Sequence, residues 1–382
     1  MDETAGIVIA GGGLVGAALA LALRTSAHGV TLLEARSFDA VDADARVIAL
    51  SHGSRLLLER LGAWQALTDV TAINTIVVSQ QRRFGRVELS ASEAGVPALG
   101  YVARYSALRR ALIGVLSTSA VKVINGCVVR DFKGDADGAV LTVECAGATR
   151  AFAAQLAVLA DGGDGLRLAH VEERDYRQSA VVCDITSDAP HQNRAFERFT
   201  PHGPLALLPT ALGWSLVWTL PPARAREISA LDDAHFCTEL QAAFGGSLGK
   251  LRVAGARQVF PLKLKYARRP RARRVVLIGN AAQSLHPVAG QGFNLGLRDA
   301  WELAVALRDT RDPGDFATLN TYFTERRFDR TATILFTDTL IRLFSNNIPL
   351  LDRLTGTSLF LLGGIPPAKK LLVRRMMFGA NG

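Results

Sequence analysis

The chain has 382 residues, 49% hydrophobic and 21% charged, with a formal net charge of +9. That length supports two lobes and a sizeable core, and the composition excludes a disordered or fibrous chain. The basic run Arg268–Arg274 has no aromatic interleaving and leads straight into an apolar strand, which sets nucleic acid aside as a partner.

The first predicted elements form a βαβ unit. Ile7–Ala10 reads as a buried strand, Leu14–Thr25 as an Ala/Leu-rich helix, and Val30–Glu34 as a second strand. Helical spacing returns at Ser54–Leu61 and Ala107–Leu116, and Val121–Ile124 reads as another parallel strand. Cys127–Phe132 and Ala139–Cys145 flank a turn-rich spacer and read as a hairpin. Gln155–Ala160 is a buried strand ending at Asp161-Gly162. From Gln178 to Leu220 the pattern turns antiparallel, with strands at Ala180–Ile185, Ala195–Thr200, Leu205–Leu208 and Trp214–Leu220; Val253–Leu264 looks similar. Val275–Ile278 restores a parallel-type strand, and helices follow at Phe293–Arg308, Pro313–Phe328 and Thr331–Leu343.

The fold class expected from this order is α/β: a nucleotide-binding domain, an inserted antiparallel β-sheet substrate domain, and a helical C-terminal region. The boundaries expected are 1–175 with 265–330 for the first, 176–264 with part of 74–105 for the second, and 331–382 for the third. Two uncharged stretches, Gly6–Leu23 and Gly203–Ala223, are not read as membrane spans. Glycines interrupt one and four prolines the other. Asp2 and Glu3 stand where a secretory signal would be basic, and Cys127, Cys145, Cys183 and Cys237 have no metal spacing, so free thiols in a reducing compartment are expected. His28, His52, His170, His191, His202 and His235 also lack ligand spacing, and no metal is expected.

Gly11-x-Gly13-x-x-Gly16 follows a strand and opens a helix. Gly11 allows the tight turn, Gly13 close approach of a pyrophosphate to the backbone, and Gly16 close helix–strand packing. Glu34 ends the next strand, where a carboxylate accepts from ribose hydroxyls; Arg36 reads equally as an adenine contact or a solvated loop residue. Asp161 sits at a strand's carboxyl edge, where ligands bind in open sheets, though Asp-Gly is also a common turn. The second glycine-rich segment, Gly279 to Asp299, lies most of the chain away. Gly279 and Asn280 leave a strand, Pro287 stiffens the loop, and Gly290-Gln291-Gly292 precedes the helix that Phe293 and Asn294 begin. Amides at that helix start suit the charge on a reduced flavin. His286 reads either as a packed loop histidine or as a group positioning a phenol beside the flavin ring. Two such segments read as one extended cofactor held at both ends, and FAD has that shape.

Together these residues resemble the class A flavoprotein monooxygenases, the family of para-hydroxybenzoate hydroxylase. The resemblance rests on the first glycine turn with Glu34, on Asp161-Gly162, and on the Gly279–Asp299 block. Asp44-Ala-Arg46-Val-Ile-Ala-Leu-Ser51, Gly100-Tyr-Val102, Ala195–Thr200 with Gly203–Pro209, and Phe260-Pro-Leu262 look like the ubiquinone-biosynthesis hydroxylase branch. The chain departs from the family at Asn280, where many members carry Asp. It also has Gly165 and Leu168 where Ser and Arg usually follow the Asp-Gly pair, with Arg167 one place early.

What the resemblance implies is a Rossmann-like FAD-binding domain of the GR2 type in an FAD-dependent hydroxylase that uses NAD(P)H and O2, through a C4a-hydroperoxyflavin, on a polyprenyl phenol. It implies cofactor contacts from Gly11, Gly13, Gly16, Glu34, Arg36, Arg46, Asp161, Gly279, Asn280, Gly290, Gly292, Phe293 and Asn294. Catalytic positions would be His286, Pro287 and Gln291. Such a substrate implies a peripheral site on the inner face of the cytoplasmic membrane, and a homo-oligomer and other ubiquinone-biosynthesis enzymes are expected partners. The uncharged stretch Leu354–Ala368 followed by Lys369, Lys370, Arg374 and Arg375 reads either as an interfacial anchor or as a helix packed on the core or on another subunit. A hydroxylase of a soluble phenolic acid, a flavoprotein reductase or oxidase, and an FAD-bearing assembly subunit stand as alternatives.

Overall fold

The computed structural model describes residues 3–38, 44, 46–81, 86–162, 171–344 and 366–379. Glu3–Ala10 is the centre of the first sheet. It pairs in parallel with Val30–Glu34 on one side and Ala148–Leu159 on the other. Lys122–Asn125 and Val275–Leu277 extend the parallel run outward. Ile7, Val8 and Ile9 are fully buried because helices cover one face and a hairpin arm the other. The helix Leu14–Ala22 packs beside Tyr105–Leu116 and Gln291–Leu307.

The second sheet is almost wholly antiparallel. Its order runs Gln283–Ser284, Gln258–Ala267, Val171–Ser187, Gly213–Leu220, Gly203–Thr210, Arg194–Thr200, Thr75–Gln80, Arg86–Ser90. The exception is the parallel pair Arg194–Thr200 with Thr75–Gln80, strands more than a hundred residues apart. Alternation divides each strand between two faces. Trp214, Leu216, Trp218 and Leu220 pack under the helices Pro222–Ala230 and Asp233–Phe244. Ser215, Val217 and Thr219 turn to the opposite face. The expected boundaries at 175/176 and 264/265 fall inside the long strands Val171–Ser187 and Gln258–Ala267.

Three expectations are corrected. Pro313–Phe328 and Thr331–Leu343 are one continuous helix, Phe316–Phe344. No Pro or Gly separates them, and Asp329 at the junction is buried in ion pairs. Cys127 and Cys145 are not free: register places them opposite each other in the hairpin, 4.3 Å apart at Cα, and they form a disulfide. Cys183 and Cys237 are free. The Val253–Leu264 strand is two strands, Leu251–Val253 and Gln258–Ala267.

No helix among the described residues is long and apolar enough to cross a membrane. The helix Pro366–Phe378 packs Val373 and Met377 against Val87, Leu89 and Leu99. Lys370, Leu371, Arg374 and Arg375 lie exposed, while Lys369 pairs with Glu93 at 2.8 Å. One face of this helix is therefore packed on the core and the other, basic face is exposed. The apolar stretch before it, Leu354–Ile365, lies outside the described residues, as do Gly165, Arg167 and Leu168.

Candidate active site

A cavity of about 1260 Å³ runs between the two sheets. It exceeds the roughly 300–1,000 Å³ of an ordinary ligand cleft, so it has room for a dinucleotide and a second molecule.

Backbone makes the nucleotide side. Gly11 holds φ at +104°, and a Cβ there would stand 2.7 Å from the backbone of Ala160 and Asp161. That close approach of neighbouring strand ends requires glycine. Gly13 differs: a Cβ there would meet nothing within 4 Å, so the space in front of the helix Leu14–Ala22 is open. No side chain caps that helix, which leaves its first amides and positive dipole end for an anion. Glu34 accepts from the Gly12 amide at 2.5 Å and from the Arg36 amide at 3.0 Å, fixing its carboxylate at the cavity edge. Arg109, Cys127, Asp161 and Gly162 continue this wall.

The distal glycine segment crosses from one sheet to the other. After Val275–Leu277 the chain makes a 3-10 turn at Gly279–Ala281 and adds Gln283–Ser284 to the second sheet. A second 3-10 turn, Val288–Gly290, leads into the helix Gln291–Leu307. Asn294 locks this loop. Its Nδ2 donates to Ala49 O (2.9 Å) and Gly290 O (2.7 Å), while its Oδ1 accepts from Ser51 N (2.9 Å) and Ser54 Oγ (2.7 Å).

Behind the loop lies a buried ion cluster. Arg326 donates to Asp299 (2.7 Å), Asp329 (2.8 Å) and Glu302 (3.1 Å), and Arg298 pairs with Asp329 (2.9 Å). Asp299 also accepts from Gln283 Nε2 at 2.6 Å, tying the cluster to the loop's own strand. Burial alone would lower the pKa of Arg326, but the surrounding carboxylates raise it overall.

His286 lies on the loop, 1% exposed, and lines the cavity. Its Nδ1 accepts from the Val288 amide at 3.1 Å, so the neutral ring carries its proton on Nε2, which is buried without a partner. Burial lowers its pKa to about 3, and it stays neutral at ordinary pH. Tyr176 meets the ring edge-on at 5.4 Å.

The rest of the cavity is mostly apolar, with Ser215, Thr219, Lys263 and Ser284 its polar exceptions besides one carboxyl. Ala180, Val182, Ala195, Phe199, Ala206 and Val217 line it from the second sheet; Phe336, Leu340, Leu372 and Met376 reach it from the two C-terminal helices. One carboxyl stands in this wall, Glu197, whose pKa burial pushes up to about 7. Protein surrounds the side chain, yet it stays partly open to the cavity's interior.

Of the positions anticipated from sequence, Gly11, Gly13, Glu34, Arg36, Arg46, Asp161, Asn280, His286, Pro287, Gly290, Gly292 and Phe293 line this single cavity. Gly16, Gly279, Gln291 and Asn294 stand behind its lining. Gly16 is a packing position, where a Cβ would stand 1.9 Å from Gly11 O. Asn294 staples the loop, with both ends of its amide engaged within the protein. Gln291 is buried in the first turn of its helix. Arg46 pairs with Asp44 at 2.5 Å, and its guanidinium lies over the rings of Tyr105 (5.5 Å) and Phe260 (5.4 Å). Sequence reasoning missed Glu197: it sits inside a recognised segment, but only strand register shows which face it takes.

Comparison with known proteins adds three findings. A family model described as "FAD binding domain" matches residues 4–336. Ubiquinone hydroxylase UbiL of Rhodospirillum rubrum is 33% identical over 98% of this chain and 90% of its own, and 3-demethoxyubiquinol 3-hydroxylase of Escherichia coli is 30% identical over 90% of each. The crystal structure of p-nitrophenol 4-monooxygenase PnpA from Pseudomonas putida superposes with a TM-score of 0.81 over the whole of both chains at 17% identity, a likeness of fold.

Proposed function

The chain belongs to the FAD binding domain family, and from that premise we propose that it is a flavin-dependent monooxygenase hydroxylating the ring of a polyprenyl phenol in ubiquinone biosynthesis. It is an oxidoreductase that binds FAD and uses NAD(P)H and O2 as co-substrates. The single observation that carries the substrate reading is the change of lining along one cavity, from glycine backbone and Glu34 to an apolar sheet face and two apolar helices.

The residues present fit a flavin dinucleotide. Gly13 fronts open space at an uncapped helix start, Glu34 is fixed at the cavity edge by two backbone amides, and among the described residues the buried Nε2–H of His286 lacks a partner. Gly11–Leu14 would hold the diphosphate, Glu34 the ribose, and the loop Asn280–Phe293 the ring end. When bound, the flavin supplies the transfer of reducing equivalents to O2 and of one oxygen atom to the ring.

The chain's own work is to place the aromatic ring, keep it dry and manage protons. The apolar walls exclude water. Neutral His286 offers one donor and no charge. Ile76, Val78, Val87 and Leu89 lead from the sheet toward Leu372 and Met376, a passage suited to an isoprenoid tail. The exposed Lys370, Arg374 and Leu371 beside it suit contact with an anionic bilayer, where such a substrate resides.

The test is incubation of the FAD-loaded protein with NAD(P)H, 18O2 and a short-chain prenyl phenol, followed by mass spectrometry. The expected product carries one 18O atom on the ring. NAD(P)H oxidation that gives only unlabelled or unchanged phenol would overturn the reading.

A further inference from the structure

Glu197 lies on the strand Arg194–Thr200 with Ala195 and Phe199 at the adjoining positions of the same face. Same-face neighbours along a strand stand about 7 Å apart. Across the sheet Glu197 is opposite Val78 on one side and Ala206 on the other, and Ala206 is opposite Val217. All line the cavity. Phe199 packs on Val288, two residues past His286. The carboxyl therefore stands one strand step from the residue that packs on the distal loop, in an otherwise apolar row.

Among the described residues the carboxyl makes no hydrogen bond or ion pair. The flanking strands Thr75–Gln80 and Gly203–Thr210 contain no titratable group. On its own strand, Arg198 turns to the other face and donates to Ala243 O at 3.1 Å. Lys263 across the sheet is held by Glu173 at 2.7 Å, Arg46 is paired with Asp44, and the loop offers only neutral His286. The facing helices contribute Phe336, Leu340, Leu372 and Met376. Desolvation alone accounts for the raised pKa. A lone carboxyl in an apolar wall is costly unless something pairs with it, and a group that titrates near 7 is poised for base catalysis.

We propose that Glu197 is the general base for the substrate's ring hydroxyl: the carboxylate accepts its hydrogen bond and takes its proton as the ring is activated. The phenol O–H bond breaks, the electron pair stays on the phenolate oxygen, and a new O–H bond forms on Glu197. The proton returns to the ring oxygen once the ring has reacted. No electrons change hands in this step. The assignment rests on the aromatic-hydroxylase reading, because it needs an acidic hydroxyl as ligand.

The experiment uses the FAD-loaded protein, with 2-prenylphenol and its methyl ether as probes, and reads the perturbation of the flavin absorbance across pH about 5.5 to 8.5. In the unmodified protein, 2-prenylphenol affinity should rise as pH passes through about 7, and the ether should bind about tenfold more weakly above that pH. Glu197→Gln should keep its flavin, lose the pH dependence, and bind the phenol about tenfold more weakly at high pH. Glu197→Asp should recover part of both. If Glu197→Gln binds with unchanged affinity and pH profile, Glu197 is not the base, while the hydroxylase reading stands. If no phenol perturbs the flavin of the unmodified protein at any pH, the hydroxylase reading falls and the assignment with it.

Discussion

The two sides of the distal loop treat buried charge in opposite ways. Behind the loop, Asp299, Glu302, Arg326 and Asp329 are close-packed and joined by ion pairs and hydrogen bonds, with Arg298 and Gln283 completing the cluster. In front of it, Glu197 and His286 Nε2 have no partner among the described residues, in a mostly apolar cavity. The paired side, where Arg298 Nη1 is the exception, holds the loop in shape. The unsatisfied side is where a bound molecule can complete the hydrogen bonding.

The strongest way to break this contrast is to empty the cluster of its central cation. Arg326→Met leaves Asp299 and Asp329 facing each other without it, and should cost about 3–5 kcal/mol of unfolding free energy, read by urea denaturation. A loss below about 1 kcal/mol would show that the cluster does not brace the loop.

Next is Gly13→Val on the nucleotide wall. Nothing among the described residues crowds a Cβ there, so the fold should survive. The isopropyl group would fill the space before the helix start, and FAD affinity should fall at least about a hundredfold, near 3 kcal/mol. Titration of flavin fluorescence measures it, and a fully yellow variant would remove Gly11–Leu14 as the diphosphate site.

On the unsatisfied side the sign reverses. Glu197 ionises near pH 7 when folded, above its ordinary value, so the folded state holds its proton more tightly than the unfolded chain. Its contribution to stability is intact below about pH 4.5 and is lost as pH rises to about 7. Glu197→Gln without ligand should therefore be more stable than the parent above pH 7, by about 1–2 kcal/mol once contact with water in the cavity is allowed for, and little different at pH 4.5. Thermal melts at the two pH values decide it. The smallest effect is at the surface: Lys370→Glu with Arg374→Glu should weaken co-sedimentation with anionic vesicles severalfold, at about 1 kcal/mol per charge near the bilayer, leaving the cavity intact. Unchanged sedimentation would remove this helix face as the membrane contact.

Much of the nucleotide side was legible from sequence. Gly11, Gly13 and Glu34 form a local pattern, and the strand–helix–strand unit around them spans only about thirty residues, so periodicity and glycine spacing locate it. The loop around His286 and Pro287 was legible for the same reason. The stapling by Asn294 was not legible, because its four hydrogen bonds reach Ala49, Ser51, Ser54 and Gly290, mostly more than two hundred residues away. The disulfide escaped notice because it depends on hairpin register, and the break expected near Asp329 because a buried ion cluster overrides local polarity.

The linear chain by itself determined the glycine turns, the parallel strands and the flavin class of the fold, since backbone conformation there depends on residues a few positions apart. Only the tertiary structure decided which side chains face the cavity. Register between Arg194–Thr200 and the distant Thr75–Gln80 puts Glu197 inward and Arg198 outward, and a slip of one residue would exchange them. Long-range pairing sets that choice, and composition and spacing carry no record of it.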